Sequence, residues 1–133
     1  MSEQPQRAVA RVLVTGSRTW TDTAVIRDVL AEMWRRYPGA VLVTGGCPRG
    51  ADRLAEDCWA HWGGQVERHP ADWNLGRAAG FLRNQAMVDA GADHCVAFIH
   101  ANSRGATHCA ASSRAAGIPT TVHRTDCLER TYP

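Results

Sequence analysis

Short apolar runs alternate with segments of helical periodicity along the chain. Each run has the length of a buried strand. The run at 65–69 is the least apolar of them, and the others consist almost entirely of aliphatic and small residues. The pattern therefore predicts five strands, at 9–15, 40–44, 65–69, 94–99 and 118–122.

The segments between these runs carry apolar residues at spacings of three and four, as on a helix with one buried face. The first helix follows a cap at Thr21 or Asp22 and stops at Pro38-Gly39. The second starts near Gly50 and stops at Gly63-Gly64. The same criteria predict two further helices at 77–90 and 106–116, a loop at 70–76 and a turn at 103–105.

This strict alternation of strands and helices predicts an α/β fold. Right-handed crossovers place helices on both faces of a parallel sheet. The expected architecture is a Rossmann-like three-layer sandwich around a five-stranded parallel sheet with strand order 3-2-1-4-5. The chain has 133 residues, 44% hydrophobic and 21% charged, which suits one domain over 1–133 with its core at about 9–123.

The distribution of apolar residues also bears on location. No run approaches the roughly 18–20 apolar residues that cross a membrane. The segment 1–11 is polar and lacks the apolar core of a signal peptide. We therefore expect a cytoplasmic protein without a membrane partner.

The cationic side chains are all of one kind, because the chain has 15 arginines and no lysine. This composition excludes a Schiff-base lysine, a lysine general base and the lysine of a P-loop. Arginine, with its planar fork of donors, is left to bind phosphate or carboxylate. The net charge of +2 and the lack of a basic run make a nucleic-acid partner the least favoured one.

The cysteines are odd in number and form no closely spaced pair. We expect the five to be reduced thiols, several of them simply packed in the core. Cys95, His100, His108 and Cys109 are the nearest approach to a zinc site, but their spacing fits no common ligand pattern. No metal site is predicted.

Three of the predicted strand ends carry glycine together with arginine or hydroxyl groups. In an open parallel sheet, ligands bind beyond the carboxyl ends of the strands, and free N–H groups at the following helices suit phosphate. A glycine after one strand is usually just a tight turn, but three such loops at one edge favour a pocket. The three loops contain Gly16-Ser17-Arg18, Gly45-Gly46 with Gly50-Ala51-Asp52, and Ser103-Arg104-Gly105-Ala106-Thr107.

The second of these loops has the glycine spacing of a P-loop, at Gly45 and Gly50. Ala51-Asp52 stands where a P-loop has its Lys-Ser/Thr pair, so hydrolysis of nucleoside triphosphates is disfavoured. Two interpretations of Asp52 remain open: it accepts hydrogen bonds from sugar hydroxyls, or it caps the helix. In either case the helix dipole and nearby arginines are expected to keep the carboxylate ionised.

Two further positions are candidates for the pocket. Arg83-Asn84 lies in a small-residue segment of the third helix and would present a polar patch, unless Arg83 is merely solvated. Trp73 lies in the loop before that helix, where it would either stack on a base or cover the core. Of these two interpretations of Trp73 we favour packing on the core.

These motifs together resemble the SLOG superfamily, and most closely its YspA-like branch, over about 12–122. The resemblance implies a Rossmann-like fold that binds nucleotides or NAD-derived molecules, and a homodimer. Relatives include cytokinin-activating phosphoribohydrolases, a DNA-processing protein of natural transformation, and sensors of ADP-ribose-like signals. The residues that carry the resemblance are Gly16-Ser17-Arg18, Gly45-Gly46, Gly50-Ala51-Asp52, Pro70-Ala71-Asp72-Trp73, Ala79-Gly80, Arg83-Asn84, Met87, Ser103-Arg104-Gly105 and Gly117-Ile118-Pro119.

The chain departs from the phosphoribohydrolase pattern at two positions. Arg83 and Met87 match that pattern, but Asn84 stands where those enzymes have lysine. The position of their catalytic glutamate falls on Cys109 or Ala110. Their mechanism is therefore not carried over to this chain.

Three hypotheses follow. The first is a binding or sensing module for a nucleotide-derived ligand of the nucleotide, NAD or ADP-ribose type. The second is a hydrolase of a nucleotide N-glycosidic bond with Asp52 as acid, base or nucleophile, and the third is DNA binding. The predicted ligand-binding residues are Gly16, Ser17, Arg18, Gly45, Gly46, Gly50, Asp52, Arg83, Asn84, Ser103, Arg104, Gly105 and Thr107, with no further cofactor required.

Overall fold

The computed structural model describes residues 9–125 and contains a five-stranded, wholly parallel sheet. The strand order β3-β2-β1-β4-β5 confirms the predicted α/β topology. The strands are β1 (Arg11–Gly16), β2 (Val41–Thr44), β3 (Gln65–Arg68), β4 (His94–His100) and β5 (Thr120–Thr125). The helices are α1 (Thr23–Arg36), α2 (Ala51–His61), α3 (Ala79–Asp89) and α4 (Arg104–Ala115), and a single 3₁₀ turn spans Trp73–Leu75.

The core forms two layers because successive residues of a buried strand point to opposite faces of the sheet. Val12 and Val14 of β1 pack with Trp59 of α2 and the apolar side of α1 on one face. Leu13, between them, packs on the other face with Met87 of α3 and with α4. The helices therefore cover both faces, as the Rossmann-like prediction requires.

Some element boundaries differ from the prediction. The strand predicted at 118–122 is β5, and it runs to Thr125 because its polar residues still pair with β4, with Ile99 beside Arg124. Backbone pairing extends a strand whether or not its side chains are apolar, and an edge strand is less covered by helices, so hydrophobicity alone misses its end. Helix α4 begins at Arg104 rather than at 106, so the predicted turn at 103–105 is the N-cap and first turn of that helix.

The carboxyl end of β1 is tied to its neighbours by Ser17. Its hydroxyl accepts a hydrogen bond from the His100 amide (2.8 Å), and its own amide donates to the Phe98 carbonyl (2.9 Å). The Ser17 carbonyl accepts from the Ala51 amide (3.1 Å). The end of β4 and the start of α2 are thereby held against the loop that follows β1.

Gly16 allows this close approach. A Cβ at position 16 would lie 2.8 Å from the Phe98 carbonyl oxygen and would collide with the Ala51 side chain. We predict that Gly16→Ala lowers the free energy of unfolding by about 1–3 kcal/mol, since backbone must move to admit the methyl group. Urea titration of the purified variant measures this change.

Gly105→Ala is the matched control. Gly105 lies in the first turn of α4, and a Cβ there would meet no atom within 4 Å. Alanine favours a helix over glycine by up to about 1 kcal/mol, so this variant should be as stable as the parent or slightly more stable. Equal stability of the two variants would contradict the packing described for Gly16.

Candidate functional site

A cleft of about 960 Å³ opens at the carboxyl edge of the sheet. Its volume lies in the range of pockets that hold small molecules. The walls come from the loops after β1, β2 and β4, the 3₁₀ turn and α3. The lining includes ten predicted site residues: Gly16, Ser17, Arg18, Gly45, Gly46, Asp52, Arg83, Asn84, Ser103 and Gly105.

Three predicted site residues do not line the cleft. Gly50 is the N-cap of α2 and adopts φ +76°. It lies in close contact with the backbone of Ser17 and Arg18. Arg104 is exposed on the first turn of α4. Thr107 donates its hydroxyl to the Ser103 carbonyl (2.6 Å), so this hydroxyl is bonded to its own helix rather than turned towards a ligand.

Arg83 and Asn84 hold the walls of the cleft together. Arg83 Nη1 donates to the Gly45 carbonyl (2.5 Å) and the His69 carbonyl (3.2 Å), at the ends of β2 and β3. Its Nε donates to Asn84 Oδ1 (2.9 Å), and Asn84 Nδ2 donates to the Gly105 carbonyl in α4 (3.1 Å). These two residues, the Arg83–Asn84 clamp, tie α3 to three neighbouring segments.

The clamp also explains the glycine at position 45. A Cβ there would lie 2.5 Å from Arg83 Nη1. A side chain at this position would push the guanidinium away from the carbonyls that it joins. Gly45 thus permits the clamp.

Asp52 lies in the first turn of α2 and is only 6% exposed. It is not the N-cap; its Oδ2 instead accepts from the Cys47 amide (3.2 Å), which fixes the loop before the helix. Loss of solvation raises its pKa to about 6, although the Cys47 amide and the Arg83 charge pull the pKa down. Burial thus outweighs the helix dipole and the arginines in the direction of the pKa shift, but a pKa of about 6 still leaves the carboxylate mostly ionised at neutral pH.

A second buried acid, Glu56, lies one helical turn after Asp52. Its carboxylate accepts from Thr44 Oγ1 (2.6 Å) and from Arg68 Nε (2.8 Å). Thr44 Oγ1 in turn accepts from the Gly46 amide (3.1 Å), so Glu56 shapes the turn after β2. The sequence analysis missed Glu56, and the available clue was a carboxylate on the apolar face of the helix, four residues after Asp52.

The charges around the cleft suit an anion. Arg18, Arg49 and Arg77 line it with exposed side chains, in addition to Arg83. Among the described residues, Asp52 is the only carboxylate in the lining. Sequence analysis did not select Arg49 or Arg77.

Two helix N-termini at the cleft lack side-chain caps. Neither Gly50, before α2, nor Ser103, before α4, makes a side-chain hydrogen bond to its helix, whereas Asp22 accepts from the Val25 amide at the start of α1. Uncapped N–H groups carry partial positive charge and bind anions readily. At the start of α2 the Ala51 amide already donates to the Ser17 carbonyl and Asp52 lies in the first turn, so the start of α4 is the more open anion site.

The loop after β4 adds lining residues that sequence analysis missed. β4 runs through His100 rather than ending at Ile99, and 100–102 therefore reach the cleft. Ala101 adopts φ +58°, a left-handed conformation that is uncommon without glycine. His100 Nδ1 lies 2.6 Å from the hydroxyl of Thr19, which also lines the cleft.

Aromatic side chains form the outer rim. Trp73 lines the cleft and is 57% exposed, so the prediction that it packs on the core is wrong. Phe81 of α3 also lines the cleft, and its ring packs against His108 at a tilt of 34°, with the ring centroids 4.4 Å apart.

The buried thiols lie away from the cleft. Cys95 and Cys109 are fully buried, and burial raises the pKa of Cys109 to about 12. Cys109 and Ala110, the positions of the relatives' glutamate, belong to the core and do not line the cleft. Within 9–125 no group of His, Cys, Asp and Glu is arranged to hold a metal, and no helix is long and apolar enough to cross a membrane. Cys127 lies outside the described residues.

The burial of Asp52 predicts a pH-dependent cost to stability. Its folded pKa of about 6 lies above the ordinary 3.8, so the folded state takes up a proton while the unfolded chain is still ionised. The cost is greatest at high pH and shrinks as the pH falls through 6. Asp52→Asn should therefore raise the unfolding free energy more at pH 8 than at pH 5, by about 1 kcal/mol.

Urea unfolding at the two pH values measures this difference. Asp57→Asn is the control, because Asp57 is exposed on the same helix and pairs with Arg53 at 3.0 Å. Its effect should vary little between the two pH values. An effect of Asp52→Asn that is the same at pH 5 and pH 8 would refute the raised pKa.

Comparison with known proteins agrees with the resemblance noted in the sequence. Residues 10–76 match the family YAcAr, the YspA, cpYpsA-related SLOG family. Gene 61 protein of Mycobacterium phage D29 is 46% identical to the chain over 117 residues, covering 82% of this chain and 92% of the phage protein. No solved structure gives a significant match. On the family match and this identity, the chain belongs to the YspA, cpYpsA-related SLOG family.

Proposed function

We propose that this protein binds a small nucleotide-derived ligand, of the nucleotide, NAD or ADP-ribose type, and acts as a binding or sensing module. One observation carries the proposal: a single cleft combines exposed arginines with the uncapped N-terminus of α4. Such an arrangement attracts phosphate. Membership of the SLOG family supports a nucleotide-related ligand.

The position of each group suggests how such a ligand would lie. The phosphate would meet the uncapped first turn of α4 at Gly105, with Arg18 at the mouth of the cleft, because the Gly46 and Cys47 amides already donate to Thr44 Oγ1 and Asp52. Asp52, ionised above pH 6, would accept hydrogen bonds from ribose hydroxyls. The Arg83–Asn84 clamp would keep the glycine loops at the spacing that the ligand requires. Self-association into a homodimer belongs to the same proposal, since Leu75 and Leu82 expose apolar side chains outside the cleft.

Arg18→Ala tests the anion site. Loss of a charge-assisted hydrogen bond should weaken binding of ADP-ribose by about 1–3 kcal/mol in isothermal titration calorimetry. Arg35→Ala is the matched control, because Arg35 is exposed on α1 and pairs only locally with Glu32. Unchanged affinity in Arg18→Ala would remove Arg18 from the site.

Hydrolysis of an N-glycosidic bond is the second candidate function. The observation in its favour is Asp52, a buried carboxyl in the cleft whose pKa is raised to about 6. A general acid needs a pKa near the working pH, and a protonated Asp52 would donate to a leaving base. Against this candidate, Cys109 and Ala110 bring no second carboxylate to the cleft.

Product analysis separates the two candidates. The wild-type protein and Asp52→Asn are incubated with nucleoside monophosphates, NAD and ADP-ribose, and the products are resolved by chromatography. For a binding module we expect no release of free base by either protein, and weaker binding of ribose ligands by Asp52→Asn. Base release by the wild type and not by the variant would instead establish a hydrolase.

A further inference from the structure

Trp73 differs from the tryptophans of the core. Trp20 and Trp59 are 2% and 0% exposed, whereas Trp73 is 57% exposed. It lines the mouth of the cleft instead of filling the space between sheet and helices. A large apolar ring left in water loses the free energy that burial would supply, which makes its placement at a ligand cleft informative.

Local structure fixes the position of this ring. Asp72 Oδ1 accepts from the Asn74 amide (3.1 Å), and the Gly76 amide donates to the Trp73 carbonyl (3.1 Å), which closes the 3₁₀ turn. The outer edge of the indole lies over Gly80 of α3, where a Cβ would be 3.4 Å from Trp73 Cη2. The ring is thus exposed but held in place.

Arg18 places a second planar group beside the indole. Its guanidinium carbon lies 5.8 Å from the centroid of the Trp73 ring, within the range of a cation–π contact. This contact joins the loop after β1 to the segment before α3. Indole and guanidinium planes are the surfaces on which proteins stack nucleobases.

The cleft therefore has two chemically different ends. Glycine amides, Asp52 and the clamp lie at the sheet edge, while Trp73 and Phe81 lie at the rim. We infer that the Trp73 indole is a stacking platform for the base of the ligand, so that the cleft selects base-containing nucleotides over base-free sugar phosphates. This inference rests on the proposed function and adds the class of ligand to it.

Two probes that share the ribose 5-phosphate unit, one with a base and one with an anomeric hydroxyl in its place, test the inference. The wild-type protein is titrated with AMP and with ribose 5-phosphate by calorimetry. Stacking on an aromatic side chain corresponds to about 5- to 100-fold in affinity, so AMP should bind that much more tightly. Trp73→Ala should reduce AMP binding to the level of ribose 5-phosphate and leave ribose 5-phosphate binding unchanged, while Trp73→Phe should keep most of the preference.

Leu75→Ala is the matched control. Leu75 belongs to the same 3₁₀ turn and is 62% exposed, but it does not line the cleft. Its replacement should leave both affinities unchanged. A loss of AMP binding equal to that of Trp73→Ala would mean that the apolar surface as a whole matters, for example through self-association, and would overturn the stacking platform.

The remaining outcomes separate the inference from the proposed function. Equal wild-type affinities for AMP and ribose 5-phosphate, or a preference for AMP that survives Trp73→Ala, would overturn the platform while the phosphate site stands. Binding of neither probe, and of neither NAD nor ADP-ribose, at millimolar concentration would overturn the nucleotide proposal, and the platform with it.

Discussion

The geometry of the cleft depends on the hydrogen bonds of one arginine. Arg83 spans the carbonyls of Gly45 and His69, and through Asn84 it reaches the carbonyl of Gly105. Backbone carbonyls away from water need donors, and here one helix supplies them to three segments at once. The glycine loops around the cleft are held at fixed spacing because of this clamp.

The clamp also affects the protonation of Asp52. The charge of Arg83 favours the ionised form of Asp52, while burial and the neighbouring Glu56 favour the protonated form. Placing two carboxylates on the buried face of α2 costs stability that apolar residues would not. Both acids organise the loop after β2, Asp52 through the Cys47 amide and Glu56 through Thr44. The two buried acids thus lower the stability of the folded state, as residues of ligand-binding sites commonly do.

The sequence predicted the topology because the signals for it are local. Apolar runs and helical spacing set the order of the elements, and crossover handedness sets which face of the sheet each helix covers. The glycines and arginines that follow the predicted strands indicated most of the cleft. The sequence pattern did not predict that Arg83 and Asn84 donate hydrogen bonds to backbone carbonyls. A residue's position on a helix does not show which carbonyls it will face.

Other misses also depended on the surroundings of a residue. The polar β5 extends to Thr125 only because β4 offers it a partner. The raised pKa of Asp52 and the exposure of Trp73 both depend on the tertiary surroundings of these residues, which local sequence patterns do not give. His100 was missed because a strand end shifted by one residue moves a loop into or out of the site.

Backbone amide shifts in an NMR titration with AMP test the central claim most directly. The account predicts saturable shifts that are largest for the amides of Gly46, Cys47 and Gly105 and for the indole N–H of Trp73, all at the carboxyl edge of the sheet. His94, at the opposite end of β4, should be unaffected. The largest shifts around His94, or no saturable shift at any amide, would contradict a nucleotide site in this cleft.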